Sequence, residues 1–313
     1  MERKFEWRSS NGQDYLYAQG QSRHDLGYAI GQGLHRQISA ARTLYQAALS
    51  RNLENSAREL LAQAIAGYQS AIPPQDMEEI MGMREGYSAA SGEEMELDEL
   101  ALQSFGIDLT HQLESRGLGT SLTGCTNFAC INTDGSTTHG QNYDSDPKLT
   151  IADAFVHQRT ASEPEAFLYR PGGSLGMAVG KNEAGVCMTV SVIKSLCPAP
   201  VMTPRSVLVR RALRRERSID SLRAMTDEQG RSPFSYNLIV SDASTVSAAQ
   251  AIPSEQRICQ VKRTLVQSNQ FDNEPVICRK KIQDGLGTTV LFFTRESFGR
   301  GNPADQPAGQ LPL

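Results

Sequence analysis

The stretch Thr120-Ser-Leu-Thr-Gly-Cys-Thr-Asn-Phe-Ala-Cys130 divides the chain into two unlike halves. Before it the pattern is mainly helical. After it, short β-prone runs alternate with turn residues. Cys125 follows a glycine at the opening of the β-rich half. Were the Gly124–Cys125 bond cut, Cys125 would become an N-terminus carrying both a nucleophilic thiol and an amine able to act as its base. The plain alternative is a buried thiol at a boundary, since free cysteines mostly pack as small hydrophobes.

Downstream of the junction, residues 125–132 and 137–143 flank Thr133-Asp-Gly-Ser136. Asp-Gly between two β-prone runs predicts a hairpin. Further strands are expected over 154–158, 166–169, 175–179, 186–193, 236–241, 246–251, 261–267 and 289–293. Helices are expected over 204–216 and 219–225, with a short one over 275–284. Upstream, residues 1–20 read as one or two strands around Ser10-Asn-Gly12. Leu26, Ile30, Leu34, Ile38 and Leu44 recur near a 3.6 period and predict a helix over 24–50. A second helix covers 55–69, a third opens at Pro73-Pro74 and ends near Gly86, and a fourth covers 97–105. Hairpins, then a helix pair, then more strands do not fit regular βαβ alternation. They fit antiparallel sheets with helices on the outer faces, an α+β architecture.

Composition narrows the function. The 313 residues carry a net charge of −4, with 39% hydrophobic and 21% charged residues, the balance of a globular protein. The one dense basic run, Arg210-Arg-Ala-Leu-Arg-Arg-Glu-Arg217, has helical spacing and reads as a solvated face. No nucleic-acid or membrane partner is implied. No apolar run reaches the length of a membrane span, and the opening residues lack a signal-peptide core. The six cysteines show no disulfide-dense spacing, so reduced thiols in the cytoplasm are expected. No HxxxH pair and no glycine-rich nucleotide motif is present, so neither a metal nor a cofactor is expected.

Three places could carry chemistry. Cys125 needs a base to become a thiolate. The nearest histidine, His139, lies on the opposite strand of the predicted hairpin, so a Cys125–His139 pair is one reading. Gln141-Asn-Tyr-Asp144 should return beside the start of the preceding strand, bringing Asn142 and Asp144 near Cys125, although Asp144-Ser-Asp-Pro147 also reads as a strand-end turn. Asn237 opens an apolar strand. A buried amide must find partners, and one use for it is to face a developing oxyanion. A capped strand end is the other.

These residues resemble a known family, the isopenicillin N acyltransferase group of cysteine N-terminal nucleophile hydrolases, which includes acyl-CoA:6-aminopenicillanic acid acyltransferase. Gly27-Tyr-Ala-Ile-Gly31, Glu79-Ile-Met-Gly-Met-Arg-Glu-Gly86 and Ala90-Ser-Gly92 look like its helical pro-region. Gly124-Cys-Thr126, Asp134-Gly135 and Gly140-Gln-Asn-Tyr-Asp144 are similar to its nucleophile hairpin. Asn182-Glu-Ala-Gly185, Tyr236-Asn237 with Asp242, and Ser268-Asn-Gln-Phe271 follow in the family's order.

The resemblance implies an αββα sandwich, two antiparallel sheets between helical layers. It implies self-cleavage of Gly124–Cys125 into an α chain, 1–124, and a β chain, 125–313, that stay associated in one composite domain. Cys125 would be the nucleophile and its freed amine the base. Asp144 matches the acidic position after the hairpin, Asn237 the oxyanion asparagine and Arg279 a functional arginine. Asn142, Tyr143 and Ser191 would line the substrate site. The partner implied is a small acyl donor, an amide or acyl-CoA type, and a homo-oligomer is compatible with it. The chain departs from the pattern at Ser191, where the family often has Asn, at Gln270, where His is expected, and in a shortened stretch after Leu286. A catalytically silent relative that binds a small ligand or partner is therefore the second reading, and a Cys125–His139 thiol hydrolase without cleavage the third.

Overall fold

A computed structural model describes residues 2–10, 12–52, 55–97, 99–100, 104–105, 108, 124–144, 147–176, 179–192, 203–226, 236–252, 255–262, 264–268, 281–283 and 289–292. The predicted hairpin forms. Strands β3 (Gly124–Ile131) and β4 (Thr137–Asp144) pair antiparallel, with Gly124 opposite Asp144, Cys125 opposite Tyr143 and Ala129 opposite His139. Gly135 takes the left-handed φ of +86° that the tight turn requires.

The hairpin belongs to a five-stranded sheet with β12 (Thr264–Ser268), β13 (Lys281–Gln283) and β14 (Thr289–Phe292), in the order β13-β14-β12-β3-β4. A nine-stranded sheet lies against it. Its strands are β1 (Lys4–Ser10), β2 (Gln13–Gly20), β5 (Phe155–Thr160), β6 (Ala166–Tyr169), β7 (Val179–Asn182), β8 (Cys187–Val192), β9 (Tyr236–Ser241), β10 (Val246–Ile252) and β11 (Glu255–Val261), in that order across the sheet. Ala129 and Leu265 of the small sheet pack on Ile239, Val246, Ala248 and Val261 of the large one. The protein is therefore an α+β two-sheet sandwich.

Among the described residues, the helices with full ranges follow from the apolar stripes and proline starts of the sequence: α1 (Arg23–Gly33), α2 (His35–Asn52), α3 (Asn55–Ala71), α4 (Pro74–Ser91), α5 (Arg205–Ala212) and α6 (Ser218–Thr226). The outer face of the large sheet carries them in two groups. Leu26, Ile30, Ile80 and Met83 cover Leu16, Ala18 and Val156, while Leu208, Ala212 and Leu222 cover Met188, Val190, Leu238 and Val240. The helical layer expected on the small sheet lies outside the described residues.

Several expectations shift in detail. Both sheets contain one parallel pair, β2–β5 and β12–β14, where antiparallel pairing throughout was expected. A parallel neighbour needs a long crossover, and the chain between β2 and β5, which contains α1 to α4 and the hairpin, supplies one. The single helix expected over 24–50 is two, broken after Gly33. The strand expected over 261–267 is two, separated by a turn, and Lys281–Gln283 is a strand where a helix end was expected. The strand expected from 175 begins at Val179. The third helix runs on to Ser91, where Gly92 at φ +73° stops it.

Helices α1 and α4 touch through their backbones. A Cβ added at Gly27, Gly31, Gly82 or Gly86 would lie 2.1–2.2 Å from a carbonyl oxygen of the other helix. At this crossing Glu79, fully buried, meets three guanidinium groups: Arg23 Nη1 at 2.7 Å, Arg170 Nη1 at 2.8 Å and Arg210 Nη1 at 2.6 Å. Arg23 also pairs with Glu163, and Arg170 Nε donates to the Ser174 carbonyl at 2.6 Å. Removing the carboxylate leaves three cations without their shared partner. Glu79→Ala should lose about 3–5 kcal/mol of unfolding free energy in urea titrations, while Arg3→Ala, whose pair with Asp25 is exposed, should lose less than about 1 kcal/mol.

Candidate active site

The layer between the sheets has two characters. One part is the apolar cluster around Ala129, Ile239 and Leu265. The other is polar and lies toward the open end of the hairpin. Alternation along β3 turns Cys125, Asn127 and Ala129 inward and leaves Phe128 outside at 41% exposure. Cross-strand pairing puts Gln141 beside Asn127 and His139 beside Ala129 on the same face. Strand β3 lies over β8 and β9. On those strands Ser191 pairs with Asn237, and Asn237 pairs with Gln250 of β10.

The two sheets are pinned by specific bonds. Both ring nitrogens of His139 meet hydroxyls, Nδ1 that of Ser241 at 2.7 Å and Nε2 that of Thr189 at 2.8 Å. Gln141 Nε2 donates across to the Val190 carbonyl at 3.1 Å, while within the large sheet Gln250 Nε2 donates to Asn237 Oδ1 at 3.1 Å. Two residues farther along the hairpin stands Cys125, buried at 5% exposure. The arrangement is a buried thiol at the end of a layer of amide and hydroxyl dipoles.

The Gly124–Cys125 peptide is part of the hairpin's ladder. The register sets Tyr143 opposite Cys125 on one face of the hairpin, whereas Asn142, opposite Thr126 and exposed, and Asp144, opposite Gly124, take positions of the other face. It sets Ser191 and Asn237 side by side on the facing sheet, both fully buried. Arg279 and Gln270 lie outside the described residues.

His139 is not brought to Cys125. Its strand partner is Ala129, four residues away, which is about 14 Å along an antiparallel strand. Its nitrogens are already engaged, and burial pushes its pKa down to about 4, so the ring is neutral. The Cys125–His139 pairing is corrected accordingly: His139 is a bolt between sheets.

Asp242 has a structural part too. Burial raises its pKa, but donation from Ser218 N–H at 3.0 Å, Thr245 Oγ1 at 2.7 Å and the Ser244 and Thr245 amides outweighs that and holds it at about 2. It caps α6 and closes the β9–β10 turn. A cavity of about 600 Å³ opens there, lined by Ser218, Asp242, Thr245 and Gln260, at the opposite end of β9 from Asn237.

Asn127 and Gln250 did not stand out in the sequence, and Gln141 stood out only as the opening of the Gln141–Asp144 run. Both amide atoms of Asn127, Gln141 Oε1, Ser191 Oγ and Gln250 Oε1 are buried and have no hydrogen-bond partner among the described residues. Such groups ordinarily have one. The available signal was alternation: Asn127 is two residues from Cys125 and so shares its face.

His139 gives a test by pH. Its folded pKa lies below the ordinary 6.5, so its contribution to stability is complete above that value and is lost as pH falls through about 4. The difference in unfolding free energy between the wild type and His139→Gln should shrink by about 3 kcal/mol between pH 7.5 and pH 4. Denaturant titrations of both proteins at the two pH values measure it.

Residues 131–283 match the family model described as Acyl-coenzyme A:6-aminopenicillanic acid acyl-transferase. The match contains Asp144, Ser191, Asn237 and Arg279 and begins six residues after Cys125, within β3. No curated protein matches the chain. Among solved structures, a Caenorhabditis elegans N-acylethanolamine-hydrolyzing acid amidase (NAAA) ortholog aligns with a TM-score of 0.40 at 15% identity, over 47% of this chain and 71% of that one. The matched segment runs from the turn of the β3–β4 hairpin through strands of both sheets and is similar to the Acyl-coenzyme A:6-aminopenicillanic acid acyl-transferase family.

Proposed function

We propose that the chain is a self-processing N-terminal nucleophile amidohydrolase or acyltransferase whose nucleophile is Cys125. The observation that carries this is the position of Cys125, a buried thiol beginning the hairpin that leads directly into the matched segment, with a glycine before it and polar side chains beside it. In maturation the Cys125 sulfur attacks the Gly124 carbonyl carbon. The C–N bond breaks, a thioester forms and the Cys125 amine is freed. Water then hydrolyses the thioester, leaving a Gly124 carboxylate and a free thiol.

In turnover the freed amine accepts the thiol proton and the sulfur attacks the carbonyl of an amide or thioester. Asn237, with backbone N–H groups, holds the oxyanion. Collapse expels the amine or thiol of the donor and leaves an acyl-Cys125, which passes its acyl group to water or to an amine. The chemistry asks only for a small acyl donor of amide or acyl-CoA type. Asp144 and Arg279 take the roles of a carboxylate and a cation around the new N-terminus, and Asn142, Tyr143 and Ser191 those of substrate contacts.

Intact-mass spectrometry of the purified protein tests the first step. Two fragments divided between Gly124 and Cys125 are expected, and Cys125→Ala should remain one chain. A Cys125→Ala protein cut at the same bond would remove self-processing. A wild-type chain that stays whole on long incubation and resists a thiol-directed acyl probe would favour a ligand-binding relative without catalysis. Asn237→Ala should mature yet lose about 10²–10³ in kcat, the usual cost of an oxyanion donor.

A further inference from the structure

Strand β1 is the outer edge of the nine-stranded sheet: it pairs with β2 over seven residues, Lys4–Gln19 to Ser10–Gln13, and with no other described strand. Such an edge is a template for another chain unless proline, a bulge, a cover or charges that find no opposite partner block it. The ladder to β2 is continuous, no proline stands in residues 2–10, and Phe5 and Trp7 are 39% and 45% exposed.

The hairpin fixes which backbone groups are free. Two residues join Ser10 to Gln13, so that pair exchanges its hydrogen bonds, and so do the pairs made by Arg8, Glu6 and Lys4. The N–H and C=O groups of Phe5, Trp7 and Ser9 therefore point away from β2.

We propose that β1 pairs antiparallel with β1 of a second copy of this chain, centred on Phe5, to join two nine-stranded sheets across a two-fold axis. In this register Phe5 faces Phe5 of the second copy, and their outward N–H and C=O groups bond. Lys4 of each copy faces Glu6 of the other, and Glu2 faces Arg8. Lys4 opposite Glu6 is a pair without ladder hydrogen bonds, in which side chains come closest. Arg3 falls opposite Trp7, a cation beside an aromatic face.

The charge pattern selects this register from its neighbours. Centred on Glu6, the strands would set Glu6 against Glu6 and Lys4 against Arg8, all repulsive. Centred on Trp7, they would keep only the Glu6–Arg8 contacts and lose those of Lys4 and Glu2. In the single chain Glu6 is shared by Lys4 at 2.8 Å and Arg8 at 2.6 Å, and all three side chains are at least a third exposed and free to re-pair.

Sedimentation equilibrium of the whole protein tests the pairing. A reversible dimer is expected in the wild type. Phe5→Pro removes an N–H that β2 does not use, so it should keep the circular dichroism and unfolding midpoint of the wild type while weakening the dimer at least tenfold. Glu6→Lys should weaken it likewise, because Lys4 then faces a lysine. The double variant Lys4→Glu with Glu6→Lys should restore dimerisation, since opposite charges face each other again. A wild type that remains a monomer at high protein concentration, a Phe5→Pro protein that dimerises normally, or a double variant no tighter than Glu6→Lys would overturn the proposal. The last result would be given by the Trp7-centred register, where the lysine introduced by Glu6→Lys meets Arg8.

Discussion

One buried carboxylate ties together segments from before and after the Cys125 hairpin. Glu79 has no exposure, and the guanidinium groups of Arg23, Arg170 and Arg210 reach it from α1, the end of β6 and α5. Water can replace none of these contacts, so the group is stable only when all four elements are in place. Asp76, one turn before it on α4, is pushed up to about 6, chiefly by burial and against the pull of Arg23. The four-glycine crossing of α1 and α4 makes this possible. With the helix backbones in contact, the carboxylate on one and the guanidinium on the other meet without an intervening side chain. The whole helical layer on the first half of the large sheet is fixed to its second half through this point.

Much of the fold was legible because it is local. Asp134-Gly135 between β-prone runs specifies the hairpin, and the hairpin's register then decides that Cys125, Asn127 and Ala129 share a face. Pro73-Pro74 and Pro204 start helices where the pattern says they should. What was illegible is non-local. The parallel pairing of β2 with β5 joins Leu16 to Val156 across some 140 residues, and no periodicity records it. The same holds for Glu79. Its motif could be quoted from the sequence, but its partners on β6 and α5 are chosen by topology. His139 misled for a related reason: opposite strands suggested contact with Cys125, whereas the register sets it four residues away and its nitrogens bond the other sheet.

The sandwich interior divides labour along β3. At its far end, Ala129 and Leu265 make an ordinary apolar contact with Ile239 and Val246. His139, beside Ala129, bonds Thr189 and Ser241 across the sheets, and toward Cys125 the apolar packing is replaced by Asn127 and Gln141 on one sheet and Ser191, Asn237 and Gln250 on the other. Burying so many dipoles costs stability unless each finds a partner, and several atoms of Asn127, Gln141, Ser191 and Gln250 have none among the described residues. A fold under selection for stability alone would fill this end with valine and leucine. Its polarity is what a site that must stabilise a developing charge requires, because fixed dipoles shielded from water act more strongly on charge than water does.

The same geometry explains how a cut before Cys125 could leave the protein whole. The bond lies at the free end of a hairpin, so breaking it removes no strand from either sheet. Apart from the Gly124–Asp144 pair, the contacts among the described residues that join 1–124 to the rest cross elsewhere. β2 is bonded to β5 along five register pairs, and Glu79 meets Arg170 and Arg210 from the other side of the cut. Leu26, Ile80 and Met83 cover Leu16 and Val156 in one cluster built from both segments. Cleavage would thus convert an internal peptide into an amine and a carboxylate while the forces that hold the two pieces, burial and a network of buried ions, remain as they were. A nucleophile made this way begins its life already inside a finished site.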